Sequence, residues 1–308
     1  MAALSHRTYT DDELLAIMAG RELSQEGNVN AFSRLFVEHD SDGDWVVKLF
    51  DGSDPRSAIQ LENLERISHV QGFGRSAHVT WPYEIVIRDG VEVGYRMPYA
   101  EGATLADLLL RDGSSFPVAL LNEALAALDR VLDELGPSIC VGDLHGGNIV
   151  LGDGGEIMVI DPDAFSAVGG ACCSSPLSYI PRIPAHLLAC GSSPDGSPLI
   201  AASRSQDFGC MLRLYLSFLL GSMDAFAMEE RVLSAYLDHL RTLPSCRTLA
   251  DAAASWLSDG STERWDVIAT ATQGEMERAS FAAFSKTPPY RSLLESLYWE
   301  GMGTILWE

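Results

Sequence analysis

The chain has 308 residues, 47% of them hydrophobic, and a formal net charge of −22. It is long enough for one large domain or for two lobes, with a substantial core. The excess of acidic residues argues against nucleic acid or an anionic membrane as a partner. It suits a cationic substrate, and it is equally typical of a solvated acidic surface.

The sequence of the first residues, the hydropathy and the spacing of the cysteines lead us to expect a cytoplasmic protein. The first residues lack the basic and then apolar layout of a secretion signal. The most apolar window, 208–220, is interrupted by Arg213 and is too short to span a bilayer. The six cysteines include no C-x-x-C pair, which favours reduced thiols over a disulfide framework or a zinc site.

The first hundred residues are predicted to be rich in strands. Apolar runs joined by the turn residues Ser41-Asp42-Gly43 and Asp89-Gly90 indicate two hairpins. Capping residues indicate two helices. In chain order, we expect a helix over 10–20, strands over 31–38 and 44–50, a helix from Asp54-Pro55 that carries Leu61, Leu64 and Ile67, and strands over 84–87 and 91–97.

Helical patterns dominate after Pro98. We expect helices over 104–110 and 117–135, a β-hairpin within 141–165, an irregular loop over 169–203, and helices from Asp207 onwards. The helix over 117–135 should end at Gly136 and carry one apolar stripe, formed by Val118, Leu121, Leu125, Leu128, Leu132 and Leu135. The predicted organisation has three parts. They are an N-terminal helical extension over 1–20, a strand-rich lobe over 21–100, and a mainly helical lobe over 101–308, with a cleft between the two lobes.

Three polar residues flank the hairpin predicted within 141–165. Asp143 and Asn148 precede its first apolar run, and Asp161 follows its second. Phosphate transfer uses one carboxylate to orient a hydroxyl, and an amide oxygen with a second carboxylate to hold Mg²⁺. Any one of the three residues alone would be explained by a capped turn, but together they favour a phosphotransfer site.

The spacing of these residues resembles the catalytic loop and metal-binding segment of the protein-kinase-like superfamily. The resemblance covers roughly residues 21–225. It implies an α+β, protein-kinase-like bilobal fold with a small strand-rich lobe and a larger, mainly helical lobe. It also implies that Asp143 is the catalytic aspartate, and that Asn148 and Asp161 hold Mg²⁺ beside ATP.

Lys48, in Val-Val-Lys-Leu, is similar to the strand lysine with which kinases bind nucleotide phosphates. A lysine inside an apolar strand is costly unless it has a partner. We expect Glu62 on the following helix to be that partner, with Glu65 as the alternative. An edge-strand lysine that faces water is the other explanation.

The same resemblance implies the rest of the nucleotide pocket. Met97 would take the gatekeeper place, and the backbone at Tyr99 and Ala100 would bind adenine. The expected phosphate-binding loop retains one glycine, Gly27, among residues 23–32. The loss of the other glycines leaves open whether backbone N–H groups hold phosphate there.

Several residues depart from the protein-kinase pattern. Gly142 replaces the arginine that usually precedes the catalytic aspartate. His145 replaces a lysine, makes the motif more like that of aminoglycoside and choline phosphotransferases, and would donate to the γ-phosphate. Ile-Asp-x-Asp-x-Phe looks like a group of bacterial kinase-like proteins, and its second aspartate, Asp163, would contribute to a second metal. Asp207 would brace the catalytic loop or cap the following helix.

Three functions follow from this sequence. The first is an ATP- and Mg²⁺-dependent kinase that phosphorylates a hydroxyl, that of Ser or Thr in a protein. The second is a phosphotransferase acting on a cationic small molecule, such as an amino-alcohol or an aminoglycoside-like compound. The third is a pseudokinase that acts as a binding protein, favoured by the missing glycines and opposed by the retained Lys48, Asp143, Asn148 and Asp161.

Overall fold

The chain folds into an α+β structure in which a mixed sheet precedes a mainly helical region. The computed structural model describes residues 4–23, 33–52, 55–70, 76–112, 116–172, 174–192, 198–221, 224–272 and 279–299. The strands are β1 Ser5–Thr8, β2 Ser33–Asp40, β3 Gly43–Phe50, β4 Glu84–Arg88, β5 Val91–Pro98, β6 Ala103–Thr104, β7 Ile139–Cys140, β8 Ile149–Leu151, β9 Ile157–Val159, β10 Ser166–Ala167, β11 Leu188–Ser192 and β12 Pro198–Ile200. The helices are α1 Asp11–Met18, α2 Pro55–Ser68, α3 Leu105–Asp112, α4 Val118–Leu135, α5 Arg204–Leu219, α6 Glu230–Thr242, α7 Arg247–Asp259, α8 Trp265–Ala271, α9 Phe281–Phe284 and α10 Pro288–Trp299.

The large sheet has five strands in the order β1-β4-β5-β3-β2. Both predicted hairpins are present, since β2 pairs antiparallel with β3 and β4 with β5. Strand β1 is not among the predicted strands, and it pairs in parallel with β4. The N-terminal segment therefore supplies a strand of the main sheet in addition to the predicted helix α1.

A buried arginine connects four strands of this sheet. Arg96 on β5 is 4% exposed. Its guanidinium donates to Glu38 at 2.6 Å, to Asp40 at 2.8 Å and to Glu84 at 3.1 Å. Arg7 on β1 donates to the same Asp40 at 3.3 Å. Because a buried charge is stable only with well-placed partners, this network fixes β1 and β2 against β5.

Helix α2 packs its apolar side against the core. Leu61, Leu64 and Ile67 are buried, as their spacing predicts. Asn63 is also buried, and it contacts the 3₁₀ turn Pro162–Ala164 of the helical region. Helix α2 is therefore fixed by the apolar contacts of its buried side and by the hydrogen bonds of Asn63 towards the helical region.

The sheet and the helical region are also joined through the β8–β9 hairpin. The Thr80 N–H donates to the Val159 carbonyl at 3.0 Å, and the Val159 N–H donates to the His78 carbonyl at 2.8 Å. Strand β6, which follows the sheet, pairs with β8 on the other side of the hairpin. These contacts hold the hairpin next to β3, which carries Lys48.

The helical region is built around α4 and α5. The predicted stripe of α4 is buried at Leu121, Leu125, Leu128, Leu132 and Leu135. Gly136 follows it with a φ of 85°, a conformation that favours glycine. None of the helices in the described part of the chain combines the length and hydropathy of a membrane span.

The stretch 169–203, predicted to be an irregular loop, is partly regular. It contains the antiparallel pair β11–β12 and the 3₁₀ turns Pro176–Tyr179 and Ala185–Leu187. The serine, proline and glycine residues of this stretch correctly predict turns. The Ser175 hydroxyl caps the turn Pro176–Tyr179 by accepting a hydrogen bond from the Leu177 N–H at 3.2 Å. The two short strands lack the periodic signal that would predict their pairing.

Gly209 on α5 is required by the packing of a tryptophan. A Cβ on Gly209 would lie 2.0 Å from Cζ2 of Trp256, whose ring is fully buried and donates to the Ser205 carbonyl at 2.7 Å. We expect Gly209→Ala to lower the free energy of unfolding by about 3 kcal/mol, measured by urea denaturation, because the ring cannot move aside. Gly52→Ala, where the new methyl meets open space, is the control and should change it by less than about 0.5 kcal/mol. Equal effects of the two substitutions would contradict this account.

Candidate functional site

The loop after β7 is folded by the side chain of Asn148. Asn148 is 3% exposed, and its Nδ2 donates to the Asp143 carbonyl at 3.0 Å. Because the amide nitrogen is used in this way, Oδ1 is the atom that Asn148 can offer to a metal ion. The Ile160 N–H donates to the Asn148 carbonyl at 3.0 Å, which places Asp161 beside the loop. The predicted residues Asp143, Asn148 and Asp161 are thereby brought to one end of the hairpin.

Asp161 has a strained backbone. Its φ of 63° and ψ of 58° lie in the left-handed region, which costs a non-glycine residue on the order of 1 kcal/mol. Its Oδ1 accepts hydrogen bonds from Lys48 Nζ and, at 2.9 Å, from the Tyr95 hydroxyl. Burial opposes ionisation, but Lys48 and Tyr95 hold the pKa of Asp161 below its ordinary value. Asp161 is therefore a carboxylate at neutral pH.

Lys48 is a buried cation held by two carboxylates. It is 2% exposed, and its Nζ donates to Asp161 and, at 2.9 Å, to Asp163 Oδ2. Burial disfavours the charge, but the carboxylates outweigh this effect and raise the pKa of Lys48 above its ordinary value. The predicted pairing with Glu62 is wrong, because Glu62 is exposed, as is the alternative Glu65. The explanation by an edge-strand lysine facing water is also wrong.

Asp163 lies behind Lys48 in the interior. Its side chain is 1% exposed, and burial together with the charge of Asp161 raises its pKa to about 7. Asn63 of α2 donates to the Asp163 carbonyl at 3.0 Å. Asp163 contacts Lys48 in this structure, and its role as a ligand of a second metal stays a prediction. Asn63 is absent from the sequence predictions, because a buried asparagine on an amphipathic helix gives no pattern of its own.

His145 faces Asp143. The Gly147 N–H donates to His145 Nδ1 at 3.0 Å, so the neutral imidazole carries its proton on Nε2. That Nε2 lies 3.9 Å from Asp143 Oδ2. Burial raises the pKa of Asp143 above its ordinary value, and His145 opposes this shift. Both side chains are partly exposed and can be reached from solvent.

Two fully buried residues of α5 form hydrogen bonds to the backbone of the loop after β7. The Asp207 carboxylate accepts from the Val141 N–H at 3.0 Å and from the Gly142 N–H at 3.1 Å, which is the predicted bracing role. Gln206, which the sequence does not single out, donates to the Gly142 carbonyl at 2.6 Å. The helix itself is capped by Ser203. Asp207 therefore braces the loop and does not cap its helix.

Gly142 occupies a position where no side chain fits. Its φ is 80°, and a Cβ would lie 2.6 Å from the Ala164 carbonyl oxygen. The replacement of the kinase arginine by glycine is thus explained by the close approach of the loop to the turn Pro162–Ala164.

The predicted adenine-binding residues lie at the end of β5. Met97 is 2% exposed and accepts a weak hydrogen bond from the Thr80 hydroxyl at 3.5 Å. Tyr99 and Ala100 are partly exposed, but the Tyr99 N–H donates to the Asp44 carbonyl at 3.1 Å and is not free for a ligand. Adenine would therefore use the remaining backbone groups. Gly27 lies outside the described residues, and its role stays a prediction.

The side chains at the site match the ligands that Mg²⁺ prefers. Three carboxylates, Asp143, Asp161 and Asp163, lie around one lysine and one histidine. Asp161 and Asn148 both carry side-chain oxygen atoms, and oxygen is the donor that Mg²⁺ prefers. The residues present thus fit a magnesium ion, with Asp161 and Asn148 as its ligands.

No protein-family model matches this chain, and no curated protein is detectably similar to it. Its function is therefore inferred from the side chains and their contacts. The carboxylate–lysine cluster and the braced loop are the features that require a functional explanation.

The raised pKa of Asp207 predicts that the stability of the fold depends on pH. Burial raises its pKa to about 6, although three hydrogen bonds oppose the shift. In the unfolded chain an aspartate has a pKa of about 4. Between these values the native state holds a proton that the unfolded state has lost, so stability falls as the pH rises. We expect the free energy of unfolding of the wild type, relative to Asp207→Asn, to fall between about pH 4 and pH 6, measured by urea denaturation. A difference that does not change over this range would contradict the shift.

Proposed function

We propose that this protein is an ATP- and Mg²⁺-dependent phosphotransferase with a protein-kinase-like bilobal fold. The observation that carries the proposal is the buried ion cluster of Lys48, Asp161 and Asp163 beside Asp143 and Asn148. A buried lysine and a strained aspartate are costly for folding, and such features concentrate at functional sites.

Lys48 would neutralise nucleotide phosphates. Its ammonium has three donors, of which Asp161 and Asp163 engage two. The remaining proton, and the bond to Asp161, are available to a phosphate oxygen. Asp163 would keep the ammonium in place while that exchange occurs.

Asn148 and Asp161 would hold magnesium. When bound, the ion supplies positive charge to the phosphate oxygens. The protein's part is positioning. The left-handed backbone of Asp161 and the Asn148–Asp143 bond fix where the oxygen ligands point before any nucleotide arrives.

Asp143 would orient and deprotonate the acceptor hydroxyl. The Ser174 hydroxyl already forms a hydrogen bond with the Asp143 carboxylate, which lowers the pKa of that burial-perturbed group. An acceptor hydroxyl would make the same kind of contact with Asp143, and Ser or Thr of a protein is the first candidate acceptor. His145, with its proton on Nε2, would donate to the phosphate as it is transferred.

A cationic small molecule is the second candidate acceptor. It is favoured by the three carboxylates at the site and by His145, which replaces a cationic lysine. An amino-alcohol would present its hydroxyl to Asp143 and its ammonium to the remaining negative charge.

Nucleotide binding tests the first step of the proposal. We expect ATP to raise the melting temperature by several degrees only when Mg²⁺ is present, because the nucleotide stabilises the native state that binds it. Asp161→Asn should abolish this shift in a thermal-denaturation titration. Asp153→Asn, which removes an exposed carboxylate from the turn of the same hairpin, is the control and should retain it. No shift in the wild type would refute the nucleotide site.

Turnover tests the role of Asp143. We expect Asp143→Asn to reduce phosphate transfer by about 100-fold or more while leaving the ATP–Mg²⁺ thermal shift in place, since Asp143 acts on the acceptor. Radiolabelled ATP should be offered to a basic protein substrate and to a panel of amino-alcohols. Transfer to the protein alone would identify a protein kinase, and transfer to an amino-alcohol alone the second candidate. Metal-dependent binding without any transfer would identify a pseudokinase.

A further inference from the structure

Asn63 is a buried polar residue, and both the nitrogen and the oxygen of its side-chain amide form hydrogen bonds. It is 2% exposed on α2. Its Nδ2 donates to the Asp163 carbonyl at 3.0 Å and to the Phe165 carbonyl, and its Oδ1 accepts from Arg66 Nη2 at 2.6 Å. A carboxamide nitrogen has two protons, and both carbonyls are satisfied by them. Neither aspartate nor leucine could replace these bonds, because neither has donors.

These bonds connect α2 with Lys48 through Asp163. Asn63 fixes the backbone of Asp163, and the Asp163 carboxylate receives Lys48 Nζ at 2.9 Å. Asp163 is 1% exposed, so its own side chain has little room to move independently of its backbone. The position of the Lys48 ammonium thus depends on where α2 places the Asn63 amide.

The acidic residues of α2 do not take part in this connection. Glu62 and Glu65 are both exposed, whereas Asn63 is buried. The carboxylate that holds Lys48 comes instead from the 3₁₀ turn Pro162–Ala164. The helix acts on the lysine through an uncharged amide and a carbonyl.

We propose that Asn63 is a positioning residue that sets the Lys48 ammonium through Asp163. The proposal rests on the proposed function for its kinetic consequence. Its structural part, the control of Lys48 by Asn63, holds whether or not the protein transfers phosphate. The two parts can therefore be tested separately.

Chemical labelling tests the structural part without nucleotide. Lys48 and Lys286 are the chain's two lysines, and Lys286 is exposed, so it serves as an internal reference. An amine-acylating reagent should modify Lys48 far more slowly than Lys286, measured by mass spectrometry. We expect Asn63→Ala to raise the labelling rate of Lys48 at least fivefold relative to Lys286.

Gln60→Ala is the matched control. Gln60 is an equally buried amide on the same helix, 8% exposed, and its Oε1 lacks a hydrogen-bond partner among the described residues. Its loss should leave the Lys48 labelling rate unchanged. Equal rates in Asn63→Ala and Gln60→Ala would overturn the proposal. If general loosening of the fold were the cause, both variants would label faster.

Kinetics test whether Asn63 acts through Asp163. We expect Asn63→Ala and Asp163→Ala each to raise the KM for ATP and lower kcat by at least tenfold. The double variant should be no worse than Asp163→Ala alone. Once the Asp163 carboxylate is absent, Asn63 has no remaining route by which to position Lys48. Asp163→Glu, which keeps a carboxylate, should recover part of the activity.

The outcomes separate this proposal from the proposed function. Additive effects in the double variant would show that Asn63 acts independently of Asp163, and would overturn the relay. A wild type that neither binds nor uses ATP would refute the proposed function, while faster labelling of Lys48 in Asn63→Ala would still support the positioning role.

Discussion

The contact of Lys48 with Asp161 and Asp163 is the constraint on which the site depends. An ammonium removed from water is stable only when carboxylates replace the lost hydration, and here two do so. Because Lys48 belongs to β3 and the aspartates follow the β8–β9 hairpin, this cluster also joins the sheet to the helical region. One interaction therefore fixes both the electrostatics of the site and the relative placement of the elements around it.

The strain at Asp161 is maintained by contacts on several sides. Lys48 and Tyr95 hold its carboxylate, while the N–H of the preceding residue, Ile160, donates to the Asn148 carbonyl in the loop after β7. That loop is in turn fixed by Asp207, which receives two of its backbone N–H groups. These contacts together determine the backbone conformation and the carboxylate position of Asp161. In the proposed function, such an arrangement would stabilise developing charge without reorganisation.

Local patterns predicted most elements, and long-range contacts explain the failures. The hairpins and the stripe of α4 follow from periodicity, and they are present. The residue pattern alone placed Asp161 at the opposite end of its hairpin from Asp143 and Asn148, and the structure brings the three residues together, as the resemblance implied. The partner of Lys48 does not follow. The sequence offered Glu62, with Glu65 as the alternative, whereas the partners Asp161 and Asp163 are 113 and 115 residues away along the chain and are brought close by the fold. Strand β1 and the pair β11–β12 depend on partners distant in sequence, for which short strands carry no signal.

The choice of lysine at position 48 is itself informative. Lysine occurs twice in this chain, so the site contains one of the least used residues. An arginine would present a planar fork of five donors, whereas the interior offers carboxylate oxygens from two different directions. A compact ammonium can satisfy both and can exchange one for a phosphate oxygen while the other holds it. In the proposed function Asp161 would pass to magnesium at that moment, and Asp163, fixed by Asn63, would remain the permanent partner of Lys48.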